Sequence, residues 1–488
     1  MAAQRGGVES TGAAGAAAAG GIAAGRRASV GGPPGSGVSW GGASDGGVSR
    51  GGASGGGGCA GRASSGASSP AGGPAGPAAG AGPRAGAGRL APLKSRNFAL
   101  LWSGGLVSSI GDSLSSFALM AFIYALSSRS LPIARLYALA LLPSLLVSLP
   151  VGVLVDRFSR RNLMILVDLL RAGLVLGFIL ARLPWHFYLV YTLSALLAQL
   201  YEPARNSLVP AVAGEGRYLA ANALLLLNLE VARVVGPALS GWVSSLWGPK
   251  VVFGLDSLSF GLSALALAFM AFRGRAAPVG RGSGAELREG LKAMVSDPRV
   301  AYATGVNLLA WLAAGASPLV VYAFGRQHLG LGDAGAGLLL SAMGAGMILG
   351  SAVLGGLRSR RDQWPLMAGS LAASGVSVVL MGWLGGFWWS MICRFSVGVA
   401  WVAYRSSSLA ILQEVVPDRY RGRVFAAYNF ALILAMILSF LGLGALPDVV
   451  GPQWAVLCSG FWFLLVGVLA AVRRPPAPQS GASQGVGG

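Results

Sequence analysis

From residue 98 onward, apolar runs too long for ordinary core helices follow one another with short polar gaps between them. A helix rises 1.5 Å per residue, so about 20 apolar residues cross the ~30 Å hydrocarbon layer of a bilayer. Twelve stretches reach that scale: 98–127, 137–155, 162–182, 185–208, 218–246, 250–272, 300–325, 333–357, 364–384, 386–410, 421–446 and 452–472. Inside lipid each backbone amide must find its partner within its own segment, so the pattern predicts an all-α integral membrane protein. Helix breakers such as Pro150 and Pro237 are tolerable in such spans. The gaps hold the charge. If the first helix starts in the cytoplasm, twenty-one Lys and Arg fall on that side, and only Arg129, Arg135, Arg182, Lys250 and Arg326 on the other. The cation excess marks the cytoplasmic face, so both termini are expected there, on a multi-pass protein of the cell membrane.

The remaining segments read differently. Residues 1–90 are Gly, Ala, Ser and Pro with seven arginines and two acids, Glu9 and Asp45, too little apolar surface to build a core. This tail is expected to be disordered, and no apolar stretch after its early arginines has the length of a signal peptide. A second tail is expected at 476–488. Residues 273–299 begin as a Gly- and Pro-rich linker and end with Leu287, Leu291, Met294 and Val295 at helical spacing opposite charged positions. That predicts a short amphipathic helix on the inner membrane surface. It joins two six-helix halves, 95–272 and 300–475.

Internal repetition supports the two halves. Moving the numbering by 200 lays Ala352-Val353-Leu354-Gly355-Gly356-Leu357-Arg358-Ser359-Arg360-Arg361 on Gly152-Val153-Leu154-Val155-Asp156-Arg157-Phe158-Ser159-Arg160-Arg161. The same shift lays Arg405-Ser406-Ser407 on Arg205-Asn206-Ser207. Two loops recurring at one spacing are the mark of a duplicated transporter, built as pseudo-symmetric halves.

Charges within the spans come next, because each costs a few kcal/mol in hydrocarbon and asks for a partner or a wet cavity. Three acid–arginine pairs at i, i+3 can share a helix face: Asp168 with Arg171, Glu202 with Arg205, and Glu230 with Arg233. Each pair reads either as a neutralising salt bridge or as part of an ion pathway. Asp112 stands apart, mid-span among hydroxyls and glycine with no basic residue within a turn. An acid so placed suits proton binding and release, with Glu230 and Arg233 as further proton-coupling candidates. Asp256 reads as an acid near the outer end of the sixth span, facing interfacial water. Arg394, Trp311, Trp401 and Tyr404 in the later spans are candidates for lining a substrate cavity.

The stretch Gly-x-Leu-x-Asp-Arg-x-x-Arg-Arg at Gly152, Asp156, Arg157, Arg160 and Arg161 resembles the signature loop of the major facilitator superfamily, with Ser159 where that family usually has glycine. Gly236-Pro237-Ala238-Leu239-Ser240-Gly241 is similar to its exporters' antiporter motif, with Ser240 replacing one glycine. Pro203-Ala204-Arg205, Asp256-Ser257-Leu258-Ser259-Phe260 and Arg421-Gly422-Arg423-Val424 resemble the drug:proton antiporter branch that includes macrolide efflux proteins and enterobactin exporters. The resemblance covers 95–475. It implies a twelve-helix, proton-driven exporter of small amphipathic molecules working by alternating access. In that fold Asp156 ends the second helix beside the start of the eleventh, where Arg421 and Arg423 complete a conformational latch.

Composition excludes several alternatives. Apolar residues make up 54% and charged residues 11% of the chain, against about 25% charged in soluble proteins. The net charge of +20 is spread over short loops, without the folded basic face that a nucleic-acid partner requires. Cys59, Cys393, Cys458, His186 and His328 have no metal-ligand spacing, so neither metal nor cofactor is expected. The expected partners are a small-molecule substrate, protons and the lipid bilayer, for a monomeric chain that is not an enzyme. An importer or lipid flippase on the same fold stays open; a membrane-embedded enzyme would need a catalytic constellation that these residues do not offer.

Overall fold

The structure, a computed structural model, describes residues 90–147, 159–181, 183–214, 216–271, 284–356 and 363–473. The two tails, the stretch holding Gly152, Asp156 and Arg157, and the second half of its second copy, from Leu357, lie outside these residues. No strand occurs among the described residues. The helices are α1 (Arg96–Ser127), α2 (Leu131–Val147), α3 (Arg160–Leu180), α4 (Pro184–Ala213), α5 (Tyr218–Trp247), α6 (Pro249–Ala268), α7 (Gly284–Ser296), α8 (Pro298–Ala314), α9 (Ser317–Ala323), α10 (Asp333–Gly356), α11 (Gln363–Leu384), α12 (Phe387–Val415), α13 (Arg421–Gly442), α14 (Leu446–Val450) and α15 (Pro452–Val472). With α8 and α9 joined through one span and α13 and α14 through another, ten helices among the described residues are long and apolar enough to cross a membrane. The other two expected crossings correspond to α2, described for 17 residues, and α4, whose 30 residues include Gln199, Glu202, Arg205 and Asn206. Most boundaries fall within a few residues of the apolar runs. The second helix starts at Leu131 rather than 137 because Arg135 stays inside it with its side chain exposed.

Helix ends follow the local chemistry. The Ser95 hydroxyl caps α1 by accepting from the Phe98 amide, and Asp297 caps α8 by accepting from the Arg299 amide at 2.8 Å. Proline opens α4, α6, α8 and α15, where its missing N–H costs nothing. The α5–α6 and α14–α15 turns are each one glycine followed by proline, Gly248-Pro249 and Gly451-Pro452. Both glycines sit at positive φ, 82° and 86°, where a side chain would be strained. Their equivalent places in the two halves make them a further trace of the duplication.

Hydrogen bonds define the two ends of the bundle. At one end Ser95 Oγ donates to the Val212 carbonyl (2.8 Å), Arg161 Nε to the Leu267 carbonyl (2.8 Å) and Tyr302 Oη to the Leu469 carbonyl (2.9 Å). Here α7 docks against α13 rather than lying free on a surface: Glu289 pairs with Arg423 at 2.7 Å, a Cβ on Gly290 would collide with the Arg423 carbonyl, and Met294 is buried. Val295, expected on the same apolar face, stays exposed. This is the linker end; the other is the far end.

Two similar groups of helices make up the bundle. In the first, α1 packs on α5 and α6, α3 on α4 and α6, and α2 on α4. In the second, α8 packs on α13 and α15, α11 on α12 and α15, and α10 on α12. They meet along two seams, α5 with α10 and α2 with α13, which exchange under the same correspondence.

The seams close at the far end. Phe117 and Tyr124 set their rings edge-on to Tyr322 at 5.6 and 5.3 Å, and Tyr137 stacks on Phe440 at 5.3 Å. Asp448, beyond α13, accepts from the amides of Ser130 (2.7 Å) and Leu131 (2.8 Å) at the start of α2. A carboxylate on the unpaired amides of a helix N-terminus is favoured by both hydrogen bonding and the helix dipole. Among the described residues, the hydrogen bonds between the groups lie here or at mid-depth, where Ser341 Oγ accepts from the Ala238 amide at 3.0 Å and Arg233 reaches the Met347 sulfur. Replacing Asp448 with Ala should weaken the far-end closure by about 1 kcal/mol, roughly a fivefold shift toward separation. Single-cysteine labelling at Ala134, buried beside Gly444, measures this; an unchanged reaction rate with a water-soluble thiol reagent would dismiss the contact as a latch.

Candidate functional site

Two cavities share lining residues near the α2–α13 seam; Asp112, Arg171 and Asp256 border one, and Arg233 and Arg394 border the other. The first, about 390 Å³, is bordered by Asp112 and Ser115 of α1, Arg171 of α3, Ser194 and Gln199 of α4, and Asp256 of α6. Arg171 is held on every side. Its two terminal nitrogens donate to the Asp112 carboxylate at 2.6 and 3.2 Å, its Nε to Ser194 Oγ at 3.2 Å, and its carbon lies 4.3 Å from the Phe260 ring centre. This forked pairing uses the planar geometry that arginine has and lysine lacks.

Three expectations change here. Asp112 has no cation on its own helix, yet α3 brings one to it. Arg171 therefore pairs across helices, and Asp168 does not form the expected i, i+3 bridge; it turns to α6 and accepts from Ser263 Oγ at 2.7 Å. Asp256 is not at an interfacial surface either: it is 1% exposed, with Ser259 Oγ donating to it at 3.3 Å. Three carboxylates thus gather about one guanidinium. The clue was present in α6, where Asp256, Ser259 and Ser263 recur at helical spacing as a polar stripe in an apolar run. Counting outward from helix ends hid it, because depth depends on packing.

The other two pairs form locally. Arg205 meets Glu202 at 2.5 Å with the carboxylate half-exposed, and Arg233 meets Glu230 at 3.6 Å. Arg421 pairs with Asp418 at 2.5 Å and Arg423 with Glu289, so both arginines expected beside Asp156 hold other acids in this conformation. Arg160 is buried and Arg161 donates to the Leu267 and Ala268 carbonyls at the end of α6.

The second cavity, about 410 Å³, is bordered by Arg233, Trp311, Met343, Met347, Arg394 and Trp401, among other mostly apolar side chains. Ser116, Tyr137, Met436 and Phe440 border both cavities. Of the four residues expected to line a substrate cavity, Tyr404 does not: it lies behind Trp401, fully buried, donating to Asn307 Oδ1 at 2.7 Å. Trp311 and Trp401 meet edge to face at 5.3 Å, and Arg405 lies 5.4 Å over the Trp311 ring. The span made by α8 and α9 is interrupted at Gly315 and Ala316, beside this cavity. Broken helices at mid-membrane are where transporter folds build their sites.

The motif Gly236 to Gly241 forms the joint between these parts. A Cβ on Gly236 would collide with Ser113 of α1, and one on Gly241 with the Asp333 carbonyl at the start of α10. Ser240, in place of a glycine, donates to the Leu114 carbonyl at 2.7 Å. The carbonyl of Pro237 is itself packed against Gly337. Small residues therefore bring α5 close to α1 and to α10 together.

Residues 87–484 match the family described as transmembrane secretion effectors. The chain belongs to that family. This transmembrane secretion effector is similar to the MFS-type transporter YfiS of Bacillus subtilis, 27% identical over 380 residues that cover 75% of this chain and 91% of the relative. It is also similar to macrolide efflux protein A of Streptococcus pyogenes, 22% identical over 390 residues, 76% of this chain and 93% of the relative. Among solved structures, a bacterial homologue of the iron transporter ferroportin in its inward-facing state superposes with a TM-score of 0.62 at 15% identity, covering 78% of this chain and 99% of that one. The transporter is therefore a multi-pass membrane protein of the major facilitator superfamily.

The ion pair invites a double-mutant cycle. Arg171→Gln alone should destabilise the transporter more than Asp112→Asn, because it leaves an unmatched carboxylate among two others. The double variant should recover at least ~1 kcal/mol of the summed losses. Thermal unfolding in detergent reads all four proteins, and additivity within ~0.5 kcal/mol would mean that the pairing contributes nothing.

Proposed function

We propose that the transporter is a proton-driven exporter of small amphipathic molecules, working by alternating access with 95–272 and 300–475 as its two rocking halves and 273–299 as their tether. The observation that carries this reading is the group of Asp112, Asp256 and Arg171 bordering one cavity, with Asp168 one turn from Arg171, and a wall shared with a second, largely apolar cavity. With every carboxylate ionised the group holds three negative charges against one positive, a net −2. A charge left without a partner away from water costs several kcal/mol. A proton on one carboxylate halves the excess charge and lowers that cost, and it can leave again when the cavity is wetted. Asp112 is the exchange point: it borders the cavity and is the acid in contact with Arg171, so its protonation would release the guanidinium. Glu230, with Arg233 in the second cavity's wall, is the next candidate.

The export direction is supported by the antiporter-like motif around Pro237 and by the similarity to macrolide efflux protein A. The excess of loop arginines supports a linker end and termini in the cytoplasm of a cell-membrane protein. In that orientation this conformation is closed outside by Asp448 and Tyr322 and faces inward. When the inner side closes, Arg421 and Arg423 are free to change partners, and the loop of Gly152, Asp156 and Arg157 supplies the opposing latch. A single chain holds both cavities, consistent with a working monomer.

Everted vesicles with a fluorescent lipophilic panel test the reading. The native protein should accumulate substrate when a proton gradient is imposed. Asp112→Asn should abolish uphill accumulation while leaving energy-independent counterflow, and Asp256→Asn should do the same. Full uphill transport by Asp112→Asn would remove it from the coupling site; no proton-dependent flux by the native protein with any compound would remove the reading as a whole.

A further inference from the structure

Arg394 of α12 is treated unlike the other arginines in the interior. Its side chain is among the most buried in the protein, at 2% exposure, and it borders the second cavity. Nη1 donates to Ser317 Oγ at a long 3.4 Å, Nη2 faces the sulfur of Met343 at 3.1 Å, and Nε has no partner. No carboxylate pairs with it among the described residues, and none borders the cavity, which has a second arginine, Arg233, in its wall. Arg171 shows what a satisfied buried guanidinium looks like in this same protein: a forked carboxylate, a hydroxyl and an aromatic face. Arg394 has the burial without the carboxylate.

A thioether is a weak acceptor and a 3.4 Å contact a weak bond, so the native sequence retains an unfavourable group in a place where an apolar residue would pack. An unmatched buried cation on a cavity wall is a site awaiting an anion. Resting on the exporter reading above, we propose that the transported molecules are amphipathic organic anions, whose carboxylate or other acid group pairs with Arg394 while their aromatic or aliphatic body lies against Trp311, Trp401 and Met347. The arginine fork suits an oxyanion with two oxygens. Trp311 and Trp401, edge to face, offer an aromatic corner against which a ring or chain can lie, and the unbranched methionines accommodate bodies of differing shape. Selection then rests on the charge, with tolerance in the rest.

The test uses the full chain in nanodiscs and two matched probes, pyrenebutyrate and pyrenebutylammonium, read by energy transfer from tryptophan to pyrene and corrected against empty nanodiscs. The anion should bind at least tenfold more tightly than the cation. Arg394→Met, of similar length without charge, should remove roughly 10- to 100-fold of anion affinity, the range for losing a charged hydrogen bond. Because it also removes an unmatched buried charge, it should leave the melting temperature of the substrate-free protein equal or higher, which a merely structural arginine would not. Arg394→Lys should keep part of the anion preference, and it provides the comparison if the methionine variant does not fold. Equal or stronger binding of the cation, an anion preference that survives Arg394→Met, or a lower melting temperature in that variant with unchanged binding would each overturn the proposal. Charge-selective binding without proton-driven flux would remove the exporter reading and leave this one; proton-driven efflux of both probes alike would do the reverse.

Discussion

A charge or an amide that leaves water for hydrocarbon must find its partner inside the protein, and nearly every feature of this fold answers that requirement. It makes the spans helical, because only a helix satisfies its own backbone. It also brings polar side chains into lateral contact. Arg171 is the clearest case: α3, α4, α1 and α6 each contribute to a shell around one guanidinium, so the ion pair doubles as the tie among four helices. With little hydrophobic drive between helices in lipid, such ties and small-residue contacts set the packing. The glycines around Pro237 do this on the α5 seam, where one face receives α1 and the opposite face α10.

The fold was legible in the sequence because the length of a span is fixed by the membrane and its apolarity by the lipid. Neither depends on tertiary detail. The repeat at a spacing of 200 residues gave the two halves, and the Gly-Pro turns at Gly248 and Gly451, at nearly the same spacing, could have been read as well. The polar interior was less legible. Asp112 looked solitary because a helical-spacing argument sees only its own helix, whereas Arg171 arrives from 59 residues away. Asp168 and Arg171 looked paired for the same reason. Depth misled at Asp256, since a residue counted near a helix end can still be covered by α1, which Gly111 allows to approach it. Tyr404 failed differently: an aromatic inside a span has several faces to choose from, and Asn307 decided which.

The shared wall of Ser116, Tyr137, Met436 and Phe440 joins what the charges separate. Tyr137 donates to the Ser116 carbonyl at 3.0 Å and stacks on Phe440 from the other half. A change on the acidic side that shifts α1 against α2 would therefore reach the apolar cavity through one ring, and the same ring lies on the α2–α13 seam between the two helix groups. No long relay is needed.

With acids bordering one cavity and the buried Arg394 bordering the other, the proposed proton exchange would respond to membrane voltage in a way set by the charge of the cargo. One elementary charge crossing the field exchanges about 2.3 kcal/mol per 100 mV. A cationic cargo leaving as a proton enters moves no net charge, and the voltage does no work. An anion leaving as a proton enters moves two charges in the same electrical sense, about 4.6 kcal/mol per 100 mV for one-to-one exchange. Were Arg394 to face an acid cargo exchanged for a proton, the inside-negative potential would drive both halves of the exchange, and such a carrier would run as a generator of inward current even where the pH difference across the membrane has vanished.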